Sequence, residues 1–215
     1  MKIKIIEGGF DKNFSYLIWC EKTKIAAIID PAVETTKFRD YIEKYDLMLS
    51  KVLITHTHYD HILHLDSFLY LYPNAEVLSH PYHIKKFEHP IVKISDYELI
   101  SIGEESLIGI HTPGHYADSV CYWDKNNNTI FTGDTMFVGR TGRTKSQHSS
   151  IEDLYNSVYF KILKLAKNTL IYPGHNYGFN PNITIKGNIE YSKFFTCKTL
   201  DEFKIVMKKF ESQFK

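Results

Sequence analysis

The sequence predicts an α/β fold in which two sheets pack together with helices on the outside. Short apolar runs come in two sets, one before residue 80 and one between residues 107 and 172, each accompanied by segments of helical periodicity. Sharp Pro/Gly or polar turns directly follow several of the apolar runs, the pattern of strands delivering side chains to one edge of a sheet.

Taken in order, residues 3–6 form a short strand closed by a Gly8-Gly9 turn, and residues 14–19 and 25–29 form a hairpin around a charged connection. Asp30-Pro31 ends that pair. Thr35 or Thr36 can cap a helix toward Tyr45, with Phe38, Tyr41, Ile42 and Tyr45 as a stripe facing the sheet. Residues 51–54 are a nearly continuous apolar strand, and a helix with Ile62, Leu65, Phe68, Leu69 and Tyr72 on one face runs from there to Pro73. Residues 76–78 return as a strand, and residues 80–90 are polar, punctuated by proline and rich in histidine. A second strand set occupies 107–111, 119–123 and 129–131, with Asn126-Asn127-Asn128 as a turn. Residues 151–166 are helical behind a Ser149 or Ser150 cap, 169–172 is the last strand, and 200–214 is an amphipathic helix. The chain reads as one domain over residues 1–215, with 176–215 a short C-terminal lid or helical extension.

Composition narrows the function classes. The chain has 215 residues, enough for a substantial core, and 43% apolar and 24% charged residues are ordinary for a globular protein. A formal net charge of +1 supplies no long-range field for nucleic acid or an anionic membrane, so neither is an expected partner. Cys20, Cys121 and Cys197 are odd in number and far apart, which argues against a disulfide framework or a thiolate metal site. The amino terminus alternates and lacks a continuous apolar core, and no window resembles a membrane span, so the expected location is the cytoplasm. The expected partner is a small-molecule substrate, and the aromatic content suits a monomer or a homodimer.

The chemistry concentrates in Thr55-His56-Thr57-His58-Tyr59-Asp60-His61, which follows the 51–54 strand. His56 and His58, two apart on a turned loop, can aim at one point, and His115 in Thr112-Pro113-Gly114-His115 can supply a third imidazole. Three such ligands leave zinc an open position. Asp60 and His61 can begin a second site, completed by His175 in Tyr172-Pro173-Gly174-His175. Asp134, after Thr132-Gly133, is a carboxylate able to bridge two ions roughly 3.5 to 4 Å apart, with a hydroxide between them. An arrangement with a single ion, in which Asp60 and His61 act as supporting or base groups, is the competing reading. His64, His80, His83, His89, His111 and His148 read as ordinary surface or core groups, although His111 is placed to support the His115 turn.

These motifs resemble the metallo-β-lactamase superfamily: THTHYDH at 55–61, TPGH at 112–115, TGDT at 132–135 and YPGH at 172–175. The resemblance implies a four-layer αββα sandwich with a metal site at one edge. It implies His56, His58 and His115 for a first ion, Asp60, His61 and His175 for a second, and Asp134 between them. GDTMFVGRTGRT and YPGHNYG are similar to the glyoxalase II and persulfide dioxygenase branches. The glyoxalase II likeness implies a metal-dependent thioesterase acting on a hydroxyacylglutathione-like substrate through a metal-bound hydroxide. It also implies substrate contacts from Arg143 and Tyr177, with Arg140 a further candidate, and a catalytic role for Asp60. The ions expected are two divalent metals, zinc foremost, with iron or manganese as alternatives. The dioxygenase likeness implies one iron held by His56, His115 and Asp134. A metal-dependent interaction module is the non-enzymatic alternative. Two departures stand out: Thr141 replaces a cysteine of the glyoxalase II segment, and only 40 residues follow His175, where glyoxalase II carries a long helical domain.

Overall fold

The computed structural model describes residues 1–82 and 87–213. Its first sheet has six strands in sequence order: β1 (Lys2–Gly8), β2 (Asn13–Trp19), β3 (Ile25–Ile29), β4 (Met48–Leu53), β5 (Glu76–Ser79) and β6 (Ile91–Lys93). The β1, β2 and β3 strands are antiparallel, and pairing is parallel from β3 to β6. The second sheet runs in the order β12-β11-β10-β9-β8-β7, from β12 (Ile183–Thr184), β11 (Leu170–Pro173), β10 (Thr129–Gly133), β9 (Val120–Asp124), β8 (Glu105–His111) and β7 (Glu98–Ile102). The helices are α1 (Thr36–Lys44), α2 (Tyr59–Ile62), α3 (Leu65–Leu71), α4 (Ile151–Asn156), α5 (Ile185–Tyr191) and α6 (Leu200–Glu211).

Strand alternation sorts the apolar side chains into three cores and so makes four layers. Phe14, Tyr16 and Ile18 of β2 point between the sheets with Ala27, Ile29, Leu53, Tyr122 and Phe131, while Leu17 and Trp19 face the outer core with Phe38 of α1 and Phe68 of α3. On the other side, Cys121, Ile130 and Ile171 face away from the sheet interface, toward Leu154, Phe203 and Met207. Central strands buried on both faces explain why the sequence shows continuous apolar runs rather than alternation. The architecture is therefore the expected αββα sandwich. Buried tyrosines stitch its middle: Tyr122 Oη donates to Ile54 O at 2.6 Å, and Tyr16 Oη donates to Pro173 O.

The structure differs from expectation in several elements. The helix expected up to Pro73 is broken into α2 and α3, because the His64 N–H turns to Pro31 O at 2.9 Å instead of continuing the helical ladder. The helix expected over 151–166 is regular only in α4, then passes through a π-helical turn at Ser157–Lys161 and a 3-10 turn at Ile162–Lys164. Ser150 does cap it, accepting from Asp153 N at 3.1 Å. Strands β6, β7 and β12 and helix α5 were not anticipated. Residues beyond 176, expected as a lid or extension, place β12 on the sheet edge and bury Ile185, Phe194, Phe195, Phe203 and Met207 against the second sheet. His83 and the end of the last expected helix, Phe214, lie outside the described residues. No helix among those residues is long and apolar enough to cross a membrane.

Candidate metal centre

Four strands deliver the donors to one edge of the sandwich. His56, His58, Asp60 and His61 follow β4, His115 follows β8, Asp134 follows β10, and His175 follows β11. Main-chain bonds lock these turns together: Val120 N donates to Thr55 O at 2.7 Å, Gly174 N to Gly133 O at 2.8 Å, and Phe14 N to Gly174 O at 2.8 Å. Gly114, at φ 140°, sits against helix α4, where an added Cβ would fall 2.3 Å from the Leu154 backbone. The tight turn and the close approach both require glycine there.

All seven candidates predicted from the sequence meet. His56, His58 and His115 form one group of donor atoms, Asp60, His61 and His175 another, and His56, His61 and Asp134 a third, each with its atoms within 4.8 Å of one another. Asp134 faces both sides: Oδ2 lies 3.4 Å from His115 Nε2, whereas Oδ1 lies 3.3 Å from His61 Nε2 and 3.4 Å from His175 Nε2. Asp60 Oδ2 lies 3.3 Å from His175 Nε2 and 3.6 Å from His61 Nε2.

The remaining ring nitrogens show how the imidazoles are oriented. His61 Nδ1 contacts Asp30 Oδ2, His115 Nδ1 contacts Arg143 O and His175 Nδ1 contacts Asp11 O, each at 2.8 Å. His56 Nδ1 meets Thr55 Oγ1 at 3.1 Å, and that hydroxyl itself donates to Asp30 at 2.6 Å. Engaging Nδ1 in this way leaves the Nε2 lone pairs of His56, His61, His115 and His175 for the centre. His58 is the exception, presenting Nδ1 at 2.9 Å from His56 Nε2 and 3.0 Å from His115 Nε2. Such facing nitrogens, gathered in a buried site, suit a cation better than they suit one another.

Asp134 Oδ1 adds an independent test of that fit, since it is buried and accepts no hydrogen bond. A buried carboxylate oxygen without a donor is costly, and a divalent cation satisfies it. Electrostatics within the chain agree. Burial lowers His56 and His58, the latter to about 4, with neighbouring imidazoles adding to the effect, so both are neutral donors. Burial opposes charge on His61 and His175, but the facing carboxylates, Asp134 with Asp30 for His61 and Asp134 with Asp60 for His175, raise both, His175 to about 9, so these rings carry positive charge that a bound cation would replace. Burial raises Asp60, yet His175, His61 and Asn13 hold its carboxyl well below the ordinary range. The residues present therefore fit divalent metal ions.

Four supporting residues escaped the sequence reading. Asp30 accepts from Thr55 N at 2.7 Å as well as contacting His61, and Asp118 accepts from Thr57 Oγ1 at 2.6 Å. Asn13 donates to Asp60, and Tyr116 packs on His58 with ring centroids 4.3 Å apart. Only Asp30, in a Asp-Pro strand terminus next to the donor strand, left a trace in sequence. His111, read as an ordinary group with a supporting role as the alternative, contacts Ala117 O at 2.9 Å, two residues beyond His115, and among the described residues no donor of the centre directly.

The candidate substrate residues border the same cleft, about 290 Å³, with His115, Asp134 and Phe137. The Arg143 side chain is exposed, and its carbonyl holds His115. Tyr177 stacks on His175 at 4.6 Å and donates to Asp11. Arg140 is half-buried among aromatic rings. A larger hollow between α3 and β6, about 690 Å³, holds the His89–Asp66 pair but no convergent donor group among the described residues.

Fold and donor set together define an αββα protein built around a histidine- and aspartate-rich metal centre. The chain belongs to the metallo-beta-lactamase superfamily, whose family model matches residues 8–175. It is 34% identical over 166 residues to the hydroxyacylglutathione hydrolase of Francisella tularensis subsp. novicida, a match covering 77% of this chain and 64% of that protein. The match thus spans less than two thirds of that relative's length. It is 29% identical over 186 residues to the probable polyketide biosynthesis zinc-dependent hydrolase PksB of Bacillus subtilis, covering 85% of this chain and 81% of that one. Among solved structures, ETHE1 from Myxococcus xanthus superposes with a TM-score of 0.88 at 27% identity, covering 98% of this chain and 91% of that one.

Proposed function

We propose that the protein is a metal-dependent hydrolase of a small acyl thioester. The observation that carries this reading is the placement of Asp134, with one oxygen toward His115 and the other toward His61 and His175. In this reading His56, His58 and His115 hold one ion, Asp60, His61 and His175 hold a second, and Asp134 serves both. When bound, the ions supply an activated water and a Lewis acid for the thioester carbonyl. Zinc is the metal favoured by an imidazole-rich, carboxylate-containing set, with iron or manganese as alternatives.

The chain's own groups perform the rest. Asp60, ionised and tied to Asn13, would orient the attacking water as well as help hold the second ion. Arg143 offers a guanidinium to a substrate carboxylate at the cleft mouth, and its carbonyl fixes the His115 ring, so substrate contact and donor geometry share one residue. Tyr177 forms a wall over His175 and directs its hydroxyl to Asp11. The departing thiolate is a good leaving group and needs little acid assistance. The likeness to a hydroxyacylglutathione hydrolase and to a zinc-dependent hydrolase supports the reaction class.

A second reading, a persulfide dioxygenase using one iron at His56, His115 and Asp134, is favoured by the approach of Asp134 Oδ2 to His115 Nε2 at 3.4 Å and by the likeness to ETHE1. Metal analysis of protein purified without added metal, followed by parallel thioester and persulfide assays, separates the two. Two ions per chain with thioester cleavage is the expected result. One iron with oxygen uptake on persulfide, and no thioester cleavage, would overturn it.

A further inference from the structure

The cleft contains a cation that the donor set does not use. The Arg140 guanidinium carbon lies 4.4 Å from the Tyr177 ring centroid, 4.9 Å from Phe210 and 5.0 Å from Phe137. These rings come from three places: the loop after β10, the turn after β11 and the last turn of α6. Aromatic faces compensate the positive charge, but they leave the five N–H donors without an oxygen. No ion pair or oxygen acceptor holds this guanidinium among the described residues. Asp11, the nearby acid on the cleft wall, is already engaged by the Tyr177 hydroxyl.

The loop carrying Arg140 is fixed at both ends by the segment beyond residue 176. On one side Asn188 Oδ1 accepts from Gly139 N at 2.8 Å, Asn188 Nδ2 donates to Phe137 O at 2.8 Å, and Ser192 Oγ donates to Gly139 O at 2.6 Å. On the other, Glu211 Oε1 accepts from Thr144 N at 2.6 Å, and Glu211 O accepts from Lys145 Nζ at 2.8 Å. A loop held this firmly keeps its guanidinium in place before any ligand arrives, which lowers the ordering cost of binding. The donors also stand beside Asp134 and His115 in one cleft, so an anion held there belongs to a molecule reaching the metal centre.

Resting on the thioester reading, we infer that Arg140, boxed by Phe137, Tyr177 and Phe210, sets specificity by binding an oxyanion group of the substrate remote from the reacting carbonyl. The oxyanion is a carboxylate, the glycine carboxylate of a glutathione-like peptide thiol, or a phosphate, as on a phosphopantetheine thiol. A guanidinium can take either in paired hydrogen bonds. Phe210 is a positioning residue, acting only through the Arg140 side chain.

Titration calorimetry with thioethers tests this on the metal-loaded protein, because thioethers bind without turning over. The probes are S-hexylglutathione against its glycine amide, and S-hexyl-4′-phosphopantetheine against S-hexylpantetheine. In one pair, removing the oxyanion should weaken binding to the unmodified protein about tenfold or more. Arg140→Gln should shrink that ratio to about threefold or less, Arg140→Lys should restore part of it, and Phe210→Leu should reduce it with the fold retained by circular dichroism. The pair that responds identifies carboxylate or phosphate. Equal ratios in the unmodified protein and Arg140→Gln for both pairs, or no binding of any of the four probes, would overturn the assignment. A protein that discriminates the probes yet cleaves no thioester would retire the hydrolase reading and leave Arg140 as an oxyanion site.

Discussion

Asn13 Nδ2 donates a 2.8 Å hydrogen bond to Asp60 Oδ2, the same oxygen that faces His61 and His175. Asn13 is fully buried, and its Oδ1 accepts from Asp11 N at 3.0 Å, so the amide has little freedom to turn. The main chain on either side holds the opposite donor, through Asp11 O to His175 Nδ1 and Asn176 N to Lys12 O. One short segment at the start of β2 thus orients both a carboxylate and an imidazole of the Asp60, His61 and His175 group.

Replacing Asn13 with alanine should therefore weaken this group selectively. Loss of a residue that orients a ligand costs about tenfold to a hundredfold in metal affinity. Chelator competition should show one ion per chain released more readily, with the other little changed. Equal retention of both ions in Asn13→Ala and the unmodified protein would count against the role.

Asp30 is a harsher case, because both of its oxygens accept hydrogen bonds in a buried setting, from Thr55 N, Thr55 Oγ1 and His61 Nδ1. Asparagine keeps the shape but turns an NH₂ group toward one of those donors. Asp30→Asn should lose about 3 kcal/mol of stability, the scale for breaking a buried charged partnership. Urea denaturation of metal-depleted samples isolates this from any loss of bound metal. An unchanged midpoint at unchanged slope would show that Asp30 is not a structural keystone.

The contrast between these residues and the donors explains what the sequence could reveal. His56 to His61 are dense, and His115, Asp134 and His175 each follow a strand and a sharp turn, so local pattern was enough to find them. The two central sheets were legible for a similar reason, as runs buried on both faces. Asn13 reaches Asp60 across 47 residues and Asp118 reaches Thr57 across 61, and no short-range pattern marks such contacts. Strands β6 and β12 were missed because they are three and two residues long, too short to show alternation. Helix α5 contains Gly187 and Asn188, which are poor helix formers. It is held instead by its Thr184 cap and by Asn188 bonds to the 137–139 loop.

Gly174 shows how little room the centre leaves. A Cβ there would lie 2.4 Å from Asp134 Oδ1 and 2.7 Å from His61 Cε1. The peptide cannot retreat, because Gly174 N donates to Gly133 O and Gly174 O accepts from Phe14 N. Gly174→Ala should cost about 1–3 kcal/mol through overpacking and displace Asp134 from both donor groups at once. Metal analysis should then find fewer than two ions per folded chain, and a variant retaining full metal content and midpoint would contradict this geometry.

Away from the metal centre, the stacked pair of His80 and His111 gives the fold a pH dependence of its own. Their ring centroids are 3.8 Å apart and nearly parallel at 8°. Burial and the neighbouring His111 lower the His80 pKa to about 4, with Asp96 opposing them. Asp96 accepts from His111 N and pairs with Lys161, which moderates its pull on His80. Because the folded pKa is below the unfolded value near 6.5, the folded state binds fewer protons between pH 6.5 and 4. This contribution to stability is complete above pH 6.5 and is lost as pH falls toward 4. His80→Phe keeps a ring in the stack and removes the titration. The drop in thermal midpoint between pH 7 and pH 4.5 should therefore be smaller in His80→Phe than in the unmodified protein, by about 2 °C. Partial exposure of His80 keeps the effect at that modest scale. Parallel midpoint curves for the two proteins over this range would show that the stack does not carry the acid sensitivity.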